Sequence, residues 1–468
     1  MFSVRRRGAA RLAAATVVSG LVAAGAIAVA GPALADEGDG TGGATATLGD
    51  LTVFDAVKIK GKGEYNAGLF TMEVASGGSL QTYCIDLYTG AKTGQEYKEV
   101  GWDQSSLHNN ENAGKIRWIL QNSYPQVNDL DALAKKVGAK KLTEKTAAAA
   151  TQAAIWHFSD NADAKPVNKN AQKLTEYLEK EAVNLEEPKA SLSVSPASVA
   201  GKSGERLGPV TVDTNAASAA VSLTPGAPAG VKLVDKDGKV VTNVVKGDQV
   251  FFDIPAGTAD GAAELTVQAD TTVPIGRAFV STKVKSQTLI LAGTSKSSVT
   301  AKATATWAKK GAIPAVTVEK NCAKGGLDVT ASNEGDEDFT FEVKGQKVTI
   351  PGGQSKTVLV PIAEDEAYDF TITGPNGFEK NFKGVLDCKT ATPGPLPTET
   401  PSTQPSVTTP PTEGTAGGST TGSTTGGGDL AETGSSNATP MIAGIAALLV
   451  VLGGGAVFFL RKKKTAGQ

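Results

Sequence analysis

The chain has 468 residues, with 48 acidic against 46 basic side chains, three cysteines and two histidines. That length calls for two or three domains, and the acidic excess speaks against nucleic acid as a partner. Two histidines and three cysteines offer no ligand set of usual zinc spacing, so no metal and no cofactor are expected.

The N-terminus reads MFSVRRRGAARLAAATVVSGLVAAGAIAVAGPALA. Arg5, Arg6, Arg7 and Arg11 precede an apolar run that closes on small residues, the three-part pattern of a secretory signal. Residues 1–35 are expected to be removed by a cut between Ala35 and Asp36. The basic residues at both chain ends then leave the mature protein more acidic than the whole.

Residues 44–188 are expected to form an α+β domain. Strand-like stretches come first (LTVFDAVKIKG, GLFTMEVAS, SLQTYCIDLYTG). In the last of these, alternation puts Tyr83, Ile85 and Leu87 on one side and Cys84 with Thr82 and Asp86 on the other. Helical spacing follows. ENAGKIRWILQNSYP aligns Ile116, Ile119 and Leu120, and NKNAQKLTEYLEKEAVN aligns Leu174, Tyr177 and Leu178. Between them Thr143 can cap a helix running through TEKTAAAATQAAIWHF to about Ser159. Gln152, Ile155, Trp156 and Ser159 share one stripe of it, so the lone amide lies on an apolar side.

Two runs of short alternating strands come next, over 189–311 and 312–389. Both read as all-β, immunoglobulin-like sandwiches serving as spacers. Asp237-Gly238 between apolar runs marks a hairpin. The acidic run EGDEDF at 334–339 lacks the alternating ligand pattern of a calcium loop. Residues 390–429, rich in Pro and Thr and then in Gly, Ser and Thr, cannot bury enough apolar surface to fold and read as a disordered stalk.

Residues 430–468 hold three features in order. LAETG (Leu430, Ala431, Glu432, Thr433, Gly434) precedes an apolar run at 441–460, long enough to span a membrane as a helix. RKKK follows at 461–464, on the side expected to stay cytoplasmic. The order resembles a sortase sorting signal of Gram-positive bacteria, in the LAxTG form used by some actinobacterial enzymes. The resemblance implies a membrane-inserted precursor, cleavage between Thr433 and Gly434, and transfer of the Thr433 carboxyl to peptidoglycan. The expected location is therefore the cell wall, outside the cell.

Secreted cysteines are usually paired. Cys322 and Cys388 flank one sandwich and are expected to be disulfide-bonded, which leaves Cys84 over. Three fates are open to it: an inert buried thiol, the nucleophile of a hydrolase, or half of a crosslink. A thiolate can attack a glutamine carboxamide and expel ammonia, giving an internal thioester. Such a bond is electrophilic and needs apolar cover against water, which Tyr83 and Trp156 could give to a Cys84–Gln152 link. YCID at 83–86, WILQNSYP at 118–125 and TQAAIW at 151–156 resemble the motifs of bacterial thioester domains, found at the tips of Gram-positive surface adhesins. The resemblance implies that Cys84 and Gln152 form the thioester and that it bonds covalently to a target amine, a lysine above all. The protein would then be a monomeric adhesin acting once, not an enzyme.

The hydrolase alternative makes His157 or His108 the activating base, within hydrogen-bond reach of the sulfur. The other alternative is a non-covalent adhesive or structural wall protein with Cys84 merely buried.

Overall fold

β1 (Thr45–Ile59) and β2 (Gly63–Val74) form a long antiparallel hairpin whose turn is closed by the Lys62 N–H on the Ile59 carbonyl, 3.0 Å. The computed structural model describes residues 42–391. The signal with its Ala35–Asp36 cut, nearly all of the 390–429 stalk, the Leu430–Gly434 motif and the apolar run at 441–460 lie outside the described residues. Among the described residues no helix is long and apolar enough to cross a membrane.

The hairpin register shifts between Leu48 and Leu51 and again between Leu51 and Val53. Such bulges bend and twist a strand. Gly68 sits against this bend, where a Cβ would stand 2.0 Å from the Val53 carbonyl oxygen. Bent in this way, β1 pairs on both sides: Ala46 and Thr47 face Val74 and Glu73 of β2, and also Tyr97 and Glu96 of β4 (Glu96–Val100). The sheet therefore closes on itself. It runs β2, β3 (Ser79–Cys84), Leu289–Thr294, Ala278–Ser281, β4, β1, with β5 (Ala164–Pro166) attached to the far end of β1. Closure leaves few free strand edges.

Two of these strands come from far along the chain, which corrects the expected boundary between a 44–188 domain and a 189–311 spacer. The spacer strands Gly261–Thr271 and Ser297–Ala308 pair along their length, ending at Thr271 opposite Ser297. Residues 272–296 extend from that end as an arm. Its strands fill the gap between β3 and β4, with Leu289 opposite Cys84 and Ala278 opposite Val100. Phe279, Leu289, Ile290 and Leu291 are fully buried there.

A buried ion pair fastens the arm. Arg277 Nε lies 3.0 Å from Glu99 Oε1, and the Ala44 and Ser191 N–H groups and the Ser191 hydroxyl also donate to Glu99. Removing one partner strands a buried charge. Arg277→Met is expected to cost about 3–5 kcal/mol, read by urea unfolding, and the double variant with Glu99→Gln to recover part of it.

Four helices cover the barrel: α1 (Ala113–Gln121), α2 (Leu130–Lys136), α3 (Glu144–Ser159) and α4 (Lys169–Glu181). Periodicity marks α1, α3 and α4; α2 is too short to show one. At the head of α3 the Thr143 hydroxyl accepts from Thr146 N–H, and Thr146 Oγ1 accepts from Thr143 N–H, so two otherwise orphaned donors are satisfied. α3 is buried on every side from Thr146 to Trp156. Its alanines let it press between β1, β2 and α4. An all-round buried helix, and not a single apolar stripe, is thus what holds Gln152 away from water.

The spacer consists of a four-stranded and a five-stranded sheet. The expected turn lies at Asp235–Lys239, where Gly238 has φ 83° and the Asp235 carboxylate accepts the Asp237 and Lys239 N–H groups; only the bridge Val234–Val240 flanks it. The third unit has one three-stranded and two two-stranded sheets around its own core. Cys322 and Cys388 are disulfide-bonded across 66 positions. Replacing both by serine is expected to lower that unit's stability by about 4 kcal/mol in a reversible melt, through the entropy regained by its unfolded chain.

Candidate functional site

β3 ends at Cys84, and the chain turns at once, with Thr89 N–H bonding the Asp86 carbonyl. The expected alternation holds through Ile85, which shares the core cluster of Tyr83 and whose N–H bonds the Thr288 carbonyl, and fails at Leu87, which packs in the same cluster as Cys84. Cys84 is held on one side by the arm strand and on the other by α3.

Cys84 and Gln152 meet through a reciprocal pair of hydrogen bonds. The Cys84 N–H donates to Gln152 Oε1 and Gln152 Nε2 donates to the Cys84 carbonyl, both at 2.9 Å. Both residues are 1 % exposed. A buried carboxamide needs such partners, and this arrangement supplies them from the residue that also carries the thiol. The sulfur accepts two N–H groups, from the Trp156 indole at 3.3 Å and from the Asp86 backbone at 3.4 Å.

Burial pushes the Cys84 thiol up, and the Asp160 carboxylate adds to the rise; the Trp156 and Asp86 N–H groups oppose both. Asp160 follows Trp156 by one helical turn. It accepts from Leu87 N–H at 2.8 Å and from the Ser159 hydroxyl at 2.6 Å. Loss of hydration raises it to about 7, and the Asp86 charge contributes. Asp86 is raised by the same cause, with Thr89 and the Ala391 N–H holding it down. Neither acid is singled out by the sequence as a member of the site. Asp86 stands inside the YCID motif, and Asp160 closes the helix that carries Gln152.

Of the two residues expected to give cover, Trp156 is buried with its indole N–H on the Cys84 sulfur. Tyr83 faces away from the sulfur: alternation turns it into the other core cluster, and its hydroxyl donates to the Tyr124 carbonyl at 2.8 Å. His157 is exposed, with its ring edge-on to Phe158. His108 is half-buried and is bonded to Asn109. The sulfur's hydrogen-bond partners are Trp156 and Asp86, and neither imidazole is among them.

The third unit and the first residues after it reach this region. The Ala391 N–H donates to Asp86 Oδ1 at 3.0 Å, Thr288 Oγ1 donates to Asp387, and Lys285 pairs with Asp365. Glu364, Asp365 and Asp387 gather their carboxylates within 4.8 Å, a cluster that no spacing in the sequence announces. Protein donors engage all three: Lys285, Thr288, and the Cys388 and Lys389 N–H groups on Glu364.

No curated protein matches the chain. Among solved structures, the Bacillus anthracis TIE protein is similar at 16% identity over 75% of this chain and 82% of that one, with a TM-score of 0.26. The thioester domain of the Enterococcus faecium TIE86 protein is similar at 18% identity over 57% of this chain and 97% of that one, with a TM-score of 0.27. At these scores the likeness carries no argument. Residues 314–385 match a family model described as the C-terminal domain of bacterial phospholipase C. Residues 81–184, which hold Cys84, Gln152, Trp156 and Asp160, match the thioester domain family.

Proposed function

We propose that this protein is a cell-wall-anchored adhesin whose Cys84–Gln152 thioester captures an amine on a target surface. The observation that carries the reading is the reciprocal 2.9 Å pairing of the Gln152 carboxamide with the residue bearing the buried thiol. Attack of Cys84 sulfur on the Gln152 carboxamide carbon moves charge onto Oε1. The Cys84 N–H already points at that oxygen, as an oxyanion donor must. Ammonia leaves from Nε2, and the thioester remains under Trp156.

A lysine amine then takes the acyl group, and Cys84 leaves as the thiol. Each molecule reacts once, so the protein is a covalent binder and not a catalyst. Secretion, sorting by the LAETG motif and attachment to peptidoglycan put this chemistry outside the cell. The immunoglobulin-like units and the stalk hold it clear of the wall.

Intact mass of the secreted protein tests the reading. The expected mass is one ammonia below the sum of the residues, with no thiol titratable on Cys84, and methylamine should add once, at Gln152. Full mass, a titratable thiol and no adduct would refute it.

A further inference from the structure

We infer that Asp160 is the proton acceptor for the amine that attacks the thioester, and so selects an ammonium-bearing nucleophile. This rests on the thioester reading above. A lysine side chain arrives as R–NH3+, which has no lone pair to attack with. Some group at the site must take its proton.

Asp160 has the required placement. It lies one turn beyond Trp156, whose indole N–H is on the sulfur, and its Oδ1 is pinned by Leu87 N–H three residues past Cys84. Protein surrounds it closely, yet one edge stays open to solvent. Cys84 and Gln152 have no such edge. An arriving ammonium would therefore meet the Asp160 carboxylate on its way in.

The step balances. The Asp160 carboxylate takes one proton from R–NH3+. The freed nitrogen attacks the Gln152 acyl carbon. The carbon–sulfur bond breaks with its electron pair on Cys84 Sγ, which takes the second amine proton. Asp160 then releases its proton to water. The products are the amide, the Cys84 thiol and one proton.

The groups facing Asp160 set where it titrates. Ser159 lies beside it on α3 and holds it down through its hydroxyl. The end of β3 contributes Cys84 and the turn after it Asp86 and Tyr88, and Lys62 lies over the Tyr88 ring. Asp387 of the third unit faces Asp86. Loss of hydration outweighs the two hydrogen bonds, so the carboxylate forms only as pH rises through about 7. A base must be ionised to act, and so capture should rise up to that pH and level off above it.

The experiment follows methylamine incorporation into the whole secreted protein by mass, from pH 5 to 9. Wild type is expected to show an inflection near neutrality. Asp160→Asn is expected to react about a hundredfold more slowly at neutral pH, to lack the inflection, and to approach wild type toward pH 9, as the small fraction of free methylamine rises about tenfold per pH unit. Asp160→Glu should restore the inflection. Ser159→Ala keeps the carboxylate but removes a hydrogen bond to its charged form, and should move the inflection upward. If Asp160→Asn keeps the wild-type profile, or Ser159→Ala leaves the inflection in place, the assignment to Asp160 falls. A wild-type protein that takes up no methylamine would instead sink the thioester reading itself.

Discussion

Cys84→Ala and Gln152→Ala are each expected to restore the full summed mass of the secreted chain and to abolish methylamine uptake completely. Neither change should unfold the barrel, because α3 and the closed sheet bury many other side chains around the site; Gln152→Ala is the costlier of the two, since it takes the amide partner from the Cys84 N–H and carbonyl. The loss should be total because the bond needs both atoms: sulfur from the end of β3, acyl carbon from the middle of α3. The link would also tie positions 68 apart in sequence. By the loop-entropy model such a tie is worth about 4 kcal/mol, so methylamine-treated wild type should melt earlier than untreated protein and close to the two variants. Uptake that persists in either variant, or equal melting before and after amine treatment, would show that no such bond exists.

A fragment ending at residue 188 is expected neither to fold as a barrel nor to form the thioester, whereas one ending at 311 should do both. The shorter fragment keeps Cys84, Gln152 and all four helices. It loses the arm strands Ala278–Ser281 and Leu289–Thr294 that separate β3 from β4. Phe279, Leu289, Ile290 and Leu291 are fully buried, and each contributes about 1.5–3 kcal/mol by its burial. Together these four approach the whole stability of an ordinary domain, about 5–15 kcal/mol. Their loss also frees the edge of β3 where Leu289 pairs with Cys84. Circular dichroism and intact mass on the two fragments decide it. A fragment 36–188 that is one ammonia light would overturn the account. Leu289→Asp in the whole chain gives a milder version, placing a charge directly across from the sulfur.

Much of the site is legible in the residues alone. The spare cysteine stands out once Cys322 and Cys388 are set aside, and TQAAIW places a lone amide in an alanine-rich helix. The cap at Thr143 marks where that helix begins. Asp160 and Asp86 do not declare themselves, because an acid at a helix end or in a turn looks like ordinary capping until its neighbours are known. Tyr83 misleads for a related reason. Sequence adjacency to Cys84 suggests cover, but in a strand adjacent side chains point to opposite faces.

The arm does leave a trace. LILA at 289–292 is a continuous apolar run, the mark of a strand buried on both faces and not of a spacer with one wet side. Its partners cannot be named from that run, since strand pairing across two hundred positions leaves no periodic record.

Local chemistry alone settles where α1, α3 and α4 lie, because caps and 3.6-residue spacing act within a few turns of chain. The cysteine count and the lone buried-side glutamine single out the pair proposed to react, Cys84 and Gln152. Closure of the barrel by residues 272–296, the seating of Asp160 beside Cys84 and the reach of the third unit to Asp86 are decided only in three dimensions. Each depends on which distant surfaces exclude water together, and burial of that kind is a property of the assembled chain, not of any window along it.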